Sequence, residues 1–365
     1  MTLSVNIQRT LGGFDLTTAF DAPDGVTVLF GRSGSGKTSI VKSIAGLLTP
    51  QGGRVALGDR VLFDSAARVN LPVHKRRFGY VFQDSRLFPH LSVRENLCYA
   101  ARVSGRGARQ PGGVAELLGI GHLLDRRTHA LSGGEAQRVA IGRALLSEPD
   151  MLLMDEPLAS LDGPRKAEIF PYLEGLRRET GLSILYVTHN MAEVARLATH
   201  IVLIENGQVV RSGTPEALLT DPDMVRVLGI RDAGAVLSAT VMAHHSDGLS
   251  ELRVSAGTLV LPSVDAPEGA QLRVRILAHD VILSRTRPEG LSALNILPVR
   301  VLALRRGEGP GVIVQLEAGE DRLLARITRR SADAMGIAEG ATCFAVMKSV
   351  AVSRTDIAVG LQSGG

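Results

Sequence analysis

Hydrophobic and polar positions fall into two rhythms along the chain, and the change comes near residue 230. Before it, short buried-type runs alternate with segments whose apolar residues return at helical spacing. The run Thr27–Phe30 predicts a strand leading into GRSGSGKT, residues 31–38. Beyond that loop Ile40, Ile44, Leu47 and Leu48 recur along one helix face, and Thr49-Pro50 predicts the helix end. Tyr80–Phe82, Met151–Met154 and Ser183–Val187 predict further buried strands, with a helical segment around 164–179 before the last. The stretch from about 85 to 150 is mostly helical, broken by SGRGARQPGG (104–113), which reads as an exposed loop. Such alternation implies an α/β fold whose mainly parallel sheet is covered on both faces. Asn206-Gly207, set between apolar runs, predicts a tight hairpin.

Past residue 230 the pattern becomes short alternating stretches: Leu252–Val254, Thr258–Leu261, Leu272–Leu277, Val299–Leu304, Gly311–Leu316 and Leu323–Ile327. Turn residues separate them, as in a small all-β barrel or sandwich. The expected division is 1–229 and 230–365, with GLQSGG at the end read as a disordered tail.

Composition narrows this picture only a little. With 365 residues, 45% hydrophobic and 21% charged, the chain reads as a soluble protein of more than one compact unit. It lacks a run of about 18 apolar residues, and its start, MTLSVNIQRT, lacks the apolar stretch of a signal peptide. A cytosolic location is expected. Cys98 and Cys343 suggest neither a disulfide framework nor a metal site. A net charge of +4, no Trp and 4% aromatic residues do not favour a base-stacking surface, and no nucleic-acid partner is expected.

The candidate chemistry begins at the loop. In Gly31, Arg32, Ser33, Gly34, Ser35, Gly36, Lys37 and Thr38, glycines let the backbone wrap phosphate oxygens. Lys37 would reach the β- and γ-phosphates of a nucleotide, and the Thr38 hydroxyl would hold Mg²⁺. The plainer alternative, a chance Gly-rich turn, fits poorly between a strand and an amphipathic helix. MLLMDE (151–156) is a buried strand ending in two carboxylates that point opposite ways. Asp155 fits the Mg²⁺ side and Glu156 a general base for the attacking water; a solvated strand end is the other reading. In LSGGEAQR (131–138), Ser132, Gly133 and Gly134 open a helix able to bind an anion. Ser132 with Glu135 also matches an ordinary capping box, and both can hold together.

These motifs, in this order, resemble the ABC-type nucleotide-binding domain over residues 1 to about 229, with LSGGEAQR as its signature and a helical subdomain. The resemblance adds Gln83 in FQD, Asp162 in ASLD and His189 in VTHN. It implies that Gln83 links Mg²⁺ and water to the membrane-facing surface. It also implies that Asp162 speaks to the opposite subunit, and that His189 contacts the γ-phosphate and holds Glu156 in line. Two copies would form a homodimer, each signature covering the other's ATP. Phe14 is the candidate to stack on adenine, or else a core residue of the first strands.

FQDSRLFPHLSVRENL (82–97) resembles importer ATPases serving integral membrane permeases fed by a solute-binding protein. That places the chain as a peripheral protein on the cytoplasmic face of the plasma membrane. Residues 290–354, through ARIT and KSVA, resemble the Mop-type oxyanion-binding module of molybdate importers and regulators, an OB/Mop-like β-domain. Ser292, Lys348 and Ser349 occupy the positions that hold molybdate or tungstate in that family. Leu294 stands where such modules often carry an anion-pairing Arg, which leaves open a β-domain used for dimerisation. Sulfate, polyamine, iron or sugar are alternative cargoes, and a soluble ABC ATPase of DNA repair or translation is the alternative from another class.

Overall fold

A computed structural model describes all residues except 105–109, 263, 308, 354–355 and 360–365. Part of the 104–113 loop and the GLQSGG tail therefore lie outside the described residues. The chain forms two compact units: Met1–Asn190 with Leu197–Ser212, and Met191–Arg196 with Gly213 onward.

In the first unit Val26–Phe30, Met151–Asp155 and Ser183–Thr188 are buried along their whole length. They sit inside a six-stranded sheet, flanked by Phe78–Val81 on one side and by His200–Glu205 and Gln208–Gly213 on the other. The pairings of Val26–Phe30 with both neighbours are parallel, as are those joining Phe78–Val81, Met151–Asp155 and Ser183–Thr188. Continuous apolar runs suit strands covered on both faces. A second, antiparallel sheet is led by Leu3–Leu11 and Phe14–Ala22, whose inward positions alternate. The helix Lys37–Ala45 contributes Ile40, Val41 and Ile44 to the core that both sheets share.

That helix stops before the expected Thr49-Pro50. Gly46 adopts the left-handed conformation (φ 82°) and its N–H bonds back to Lys42 and Ser43, so Leu47 and Leu48 lie past the end. The cause is Arg76, which is 0% exposed. Its guanidinium donates to the carbonyls of Ser43 (3.0 Å), Ile44 (2.7 Å) and Leu71 (2.9 Å) and to Asn70 Oδ1 (2.8 Å). A cation on helix-terminal carbonyls satisfies groups the helix cannot pair itself. A side chain at position 46 would collide with that guanidinium.

The helical region runs through Val93–Leu97, Tyr99–Ser104, Gly112–Leu117 and Gly133–Leu145. Asn206 and Gly207 both take positive φ, 49° and 76°, and form the expected hairpin turn. Among the described residues no helix is long and apolar enough to cross a membrane.

The second unit holds two antiparallel five-stranded sheets. One is built on Gly234–His244, Leu249–Val254, Gly257–Pro262 and Gln271–Leu277, the other on Asn295–Arg306, Gly311–Ala318, Asp321–Thr328 and Thr342–Met347. Inward residues of both form one core. The segment 213–229, which the sequence pattern groups with the first domain, packs here. Val225 joins a small core with Ala233, Ala278 and Leu324, and Gln315 Nε2 donates to the Thr220 carbonyl at 2.7 Å.

Arg76→Ala should lower stability by about 3 kcal/mol, because it opens a cavity and strands buried carbonyls. Denaturant midpoints of the two proteins measure this, and an unchanged midpoint would remove Arg76 from its capping role.

Candidate active site

The loop 31–38 gets its shape from glycine at two tight places. Gly31 lies so close to the Ile204 carbonyl that any Cβ would collide with it. Gly36 takes φ 99° at the helix start, a backbone open to few other residues. The hairpin turn braces the loop, since Gly207 N–H donates to the Ser35 carbonyl at 3.1 Å. Arg32, Ser33 and Gly34 are exposed at the rim, while Ser35 is buried.

Lys37 is only 4% exposed. Its ammonium donates to the Gly31 carbonyl at 2.7 Å and the Arg32 carbonyl at 2.9 Å, with Ser35 Oγ at 3.5 Å. Burial pushes its pKa down, and the charges of Glu156 and Asp155 oppose that. A desolvated cation is thus held by loop carbonyls and by the charge of two carboxylates.

The carboxylates stand where the sheet ends. Asp155 closes its strand, paired with Val187 of the neighbour. Its Oδ1 accepts from Thr38 Oγ1 at 2.9 Å and its Oδ2 from the Tyr80 hydroxyl at 3.1 Å. Glu156 has φ 47°, a conformation uncommon for a non-glycine residue and frequent at functional sites. Its N–H is held by the Val187 carbonyl at 3.1 Å. His189, just past that neighbouring strand, comes within 3.2 Å of Glu156 Oε2 through Nδ1. The pair expected from sequence is thus brought together by adjacent strand ends.

Other expected residues are placed as follows. Phe14 packs beside Gly36 and Gly207 at the loop and also borders the core. Gln83 is exposed, two residues beyond Phe78–Val81. Asp162 caps the helix Gly163–Thr180, accepting from Arg165 N–H at 3.1 Å. Ser132 and Gly133 are exposed and Gly134 is buried in the first turn of Gly133–Leu145. Ser132 Oγ accepts from Glu135 N–H (3.3 Å) and Ser132 N–H donates to Glu135 Oε2 (2.7 Å).

Sequence reasoning missed the residues that hold these parts still. Gln137 Nε2 donates to the Phe82 carbonyl at 3.3 Å, tying the signature helix to the segment before Gln83. Arg143 donates to the carbonyls of Arg86 and Ser85. Asn96, fully buried, brackets Phe88 through both its carboxamide oxygen and nitrogen. The available signal was a polar residue on an otherwise apolar helix face, such as Gln137 between Gly134 and Ile141.

In the second unit, Ser292 and Lys348 are exposed, and Ser349 has a buried hydroxyl without a partner. Asn295 is committed elsewhere: it accepts from Val260 N–H at 2.7 Å and donates to the Val260 carbonyl at 3.2 Å. Leu294 is 55% exposed.

The loop, its buried lysine and the carboxylate strand end define a phosphate-loop ATPase domain. The family model for the ABC transporter matches residues 19–159, and that for the TOBE domain matches 291–353. The molybdenum import ATP-binding protein ModC of Rhizobium meliloti (strain 1021) is 49% identical, covering 96% of this chain and 99% of the relative. Those of Mesorhizobium japonicum and Rhodospirillum rubrum are 47% and 46% identical, covering 99% and 97% of this chain and 98% of each relative. Among solved structures, CbiO1 from Clostridium perfringens, part of the ABC transporter complex cbiONQ, matches with a TM-score of 0.52 and 27% identity. That likeness covers 61% of this chain and 92% of the other. The chain belongs to the ABC transporter ATPases and, within them, to the family of these ModC proteins.

The bond from the Ser132 N–H, above all, keeps the Glu135 carboxyl below its ordinary range. A depressed folded-state value means the capping contribution is present above the unfolded value and is lost as pH falls through the folded one. Amide exchange at the start of Gly133–Leu145 should therefore accelerate, relative to intrinsic rates, on acidification below the usual glutamate range. Glu135→Gln should show no such step.

Proposed function

We propose that this chain is the ATP-hydrolysing subunit of an importer for molybdate or tungstate, working as a homodimer closed over a pair of nucleotides. The cargo assignment is carried by near-full-length similarity, at 46% to 49% identity, to proteins named for molybdenum import. Its partners are an integral membrane permease and, through it, a solute-binding protein. The chain then lies peripherally on the cytoplasmic face of the membrane.

Each residue has a role that its placement supports. Lys37 exchanges loop carbonyls for β- and γ-phosphate oxygens. The oxygen donors Thr38 Oγ1 and Asp155 Oδ1, 2.9 Å apart, suit a hard cation that prefers oxygen ligands, and the exposed Gln83 is the further residue assigned to it. Mg²⁺, when bound, neutralises charge on the phosphates. Glu156 takes the proton of the attacking water, and His189 holds its carboxylate and reaches the γ-phosphate. Phe14 lies beside the loop for the adenine.

Ser132 supports the dimer. It is exposed at the start of Gly133–Leu145, where the hydroxyl and the first N–H groups of the helix can meet a phosphate of the nucleotide on the twin subunit. Asp162, at an exposed helix start, is the second residue assigned to that interface.

For the C-terminal unit, the orphaned Ser349 hydroxyl, the Lys348 ammonium and Ser292 are the groups for an oxyanion. A second reading has this unit serving dimerisation alone. Leu294 favours it, being an exposed aliphatic side chain where an anion-pairing Arg is expected.

Glu156→Gln should keep ATP binding, cut turnover by about a hundredfold or more and accumulate closed dimers on size exclusion. A variant hydrolysing at the parent rate would remove Glu156 as the base. Lys37→Ala should weaken nucleotide binding, as measured by fluorescent-nucleotide titration. With its permease in vesicles, ATPase activity should respond to molybdate over sulfate; a sulfate-only response would sink the cargo assignment.

A further inference from the structure

Tyr80 belongs to none of the motifs above, yet it touches a buried carboxylate of the site. It lies on Phe78–Val81, paired in parallel with Met151–Asp155 so that Tyr80 stands opposite Leu153. Its hydroxyl donates to Asp155 Oδ2 at 3.1 Å while Thr38 donates to Oδ1 at 2.9 Å. Both oxygens of a carboxylate that is 6% exposed are thus engaged, from opposite sides. A carboxylate oxygen can only accept, so the phenol is the donor in this contact. The Tyr80 ring also meets Phe82, centroids 4.2 Å apart, and Phe82 is gripped by Gln137 at its carbonyl and by Arg86 over its ring at 4.3 Å. Gln83 follows directly.

The geometry points to Tyr80 as a positioning residue for the cation side of the site. Its hydroxyl fixes the plane of the Asp155 carboxylate, and its ring ties that carboxylate to the strand end that presents Gln83. The inference rests on the reading that Thr38 and Asp155 hold Mg²⁺. A carboxylate with one oxygen unpartnered can turn about its terminal torsion, which is broad. Pinning both oxygens leaves one orientation for Oδ1. Outer partners of metal ligands act in this way, orienting the ligand and raising affinity.

Tyr80→Phe keeps the ring and its contact with Phe82 and removes only the hydroxyl. With the full-length protein and a non-hydrolysed ATP analogue, Mn²⁺ titration followed by electron paramagnetic resonance should show the Mn²⁺ Kd raised by about tenfold. Analogue affinity in EDTA should equal the parent's, a split that a general packing defect would not produce. Tyr80→Met, which fills similar space without a hydroxyl, should show the same rise. If either folded variant binds Mn²⁺ as the parent does, Tyr80 has no positioning role. Asp155→Asn, run in parallel, separates the premise from the inference. Loss of Mn²⁺ binding there, with parent-like Tyr80→Phe, overturns the inference alone, whereas parent-like Mn²⁺ binding by Asp155→Asn overturns the assignment of Asp155 itself.

Discussion

A desolvated ammonium inside a coil of backbone carbonyls is the constraint around which the first unit is organised. Lys37 can be buried because Gly31 and Arg32 turn their carbonyls to it and because Asp155 and Glu156 supply opposing charge. Each provision needs a different part of the fold. The carbonyls require a loop with no side chain at Gly31 and a left-handed turn at Gly36. The carboxylates require that the buried strand Met151–Asp155, one strand removed from Val26–Phe30 in the sheet, end beside the loop. Breaking either leaves a cation in low dielectric without compensation, at a cost well above that of an ordinary surface change.

The strands that bring these charges together are held from behind by parts with no chemistry of their own. Arg76 ends the loop's helix with a guanidinium on its last carbonyls. Gln137 and Arg143 anchor the segment around Gln83 to the signature helix. Both devices use side-chain donors on backbone acceptors, which fix a segment without demanding a matching side chain. Such anchoring suits a region whose exposed face must meet another molecule.

Much of this was legible in the sequence because it follows from local pattern. The strands around Thr27, Met151 and Ser183 are uninterrupted apolar runs, and the loop and hairpin are set by Gly and Asn at fixed offsets. The pairing of His189 with Glu156 followed from family order, and the structure supplies its cause in adjacent strand ends. Long-range geometry was not legible. Nothing local marks Arg76 as the residue that stops a helix beginning at Lys37, and Leu47 and Leu48 continue the apolar rhythm past that stop. The packing of 213–229 with the second unit was hidden for the same reason: it depends on Val225 meeting Ala278 and Leu324, far along the chain. Asn295, one residue after Leu294, has its carboxamide spent bridging to Val260, a contact that no local pattern announces.

The turn at Asn206-Gly207 looks like a routine reversal at the edge of the sheet, but its peptide is bonded to the floor of the phosphate loop at Ser35 and to Thr17 of the opening hairpin. Three stretches distant in sequence therefore share one rigid junction. Through these two bonds a single glycine serves as the common anchor of the phosphate loop and the first strands, so a change in that reversal would disturb both at once.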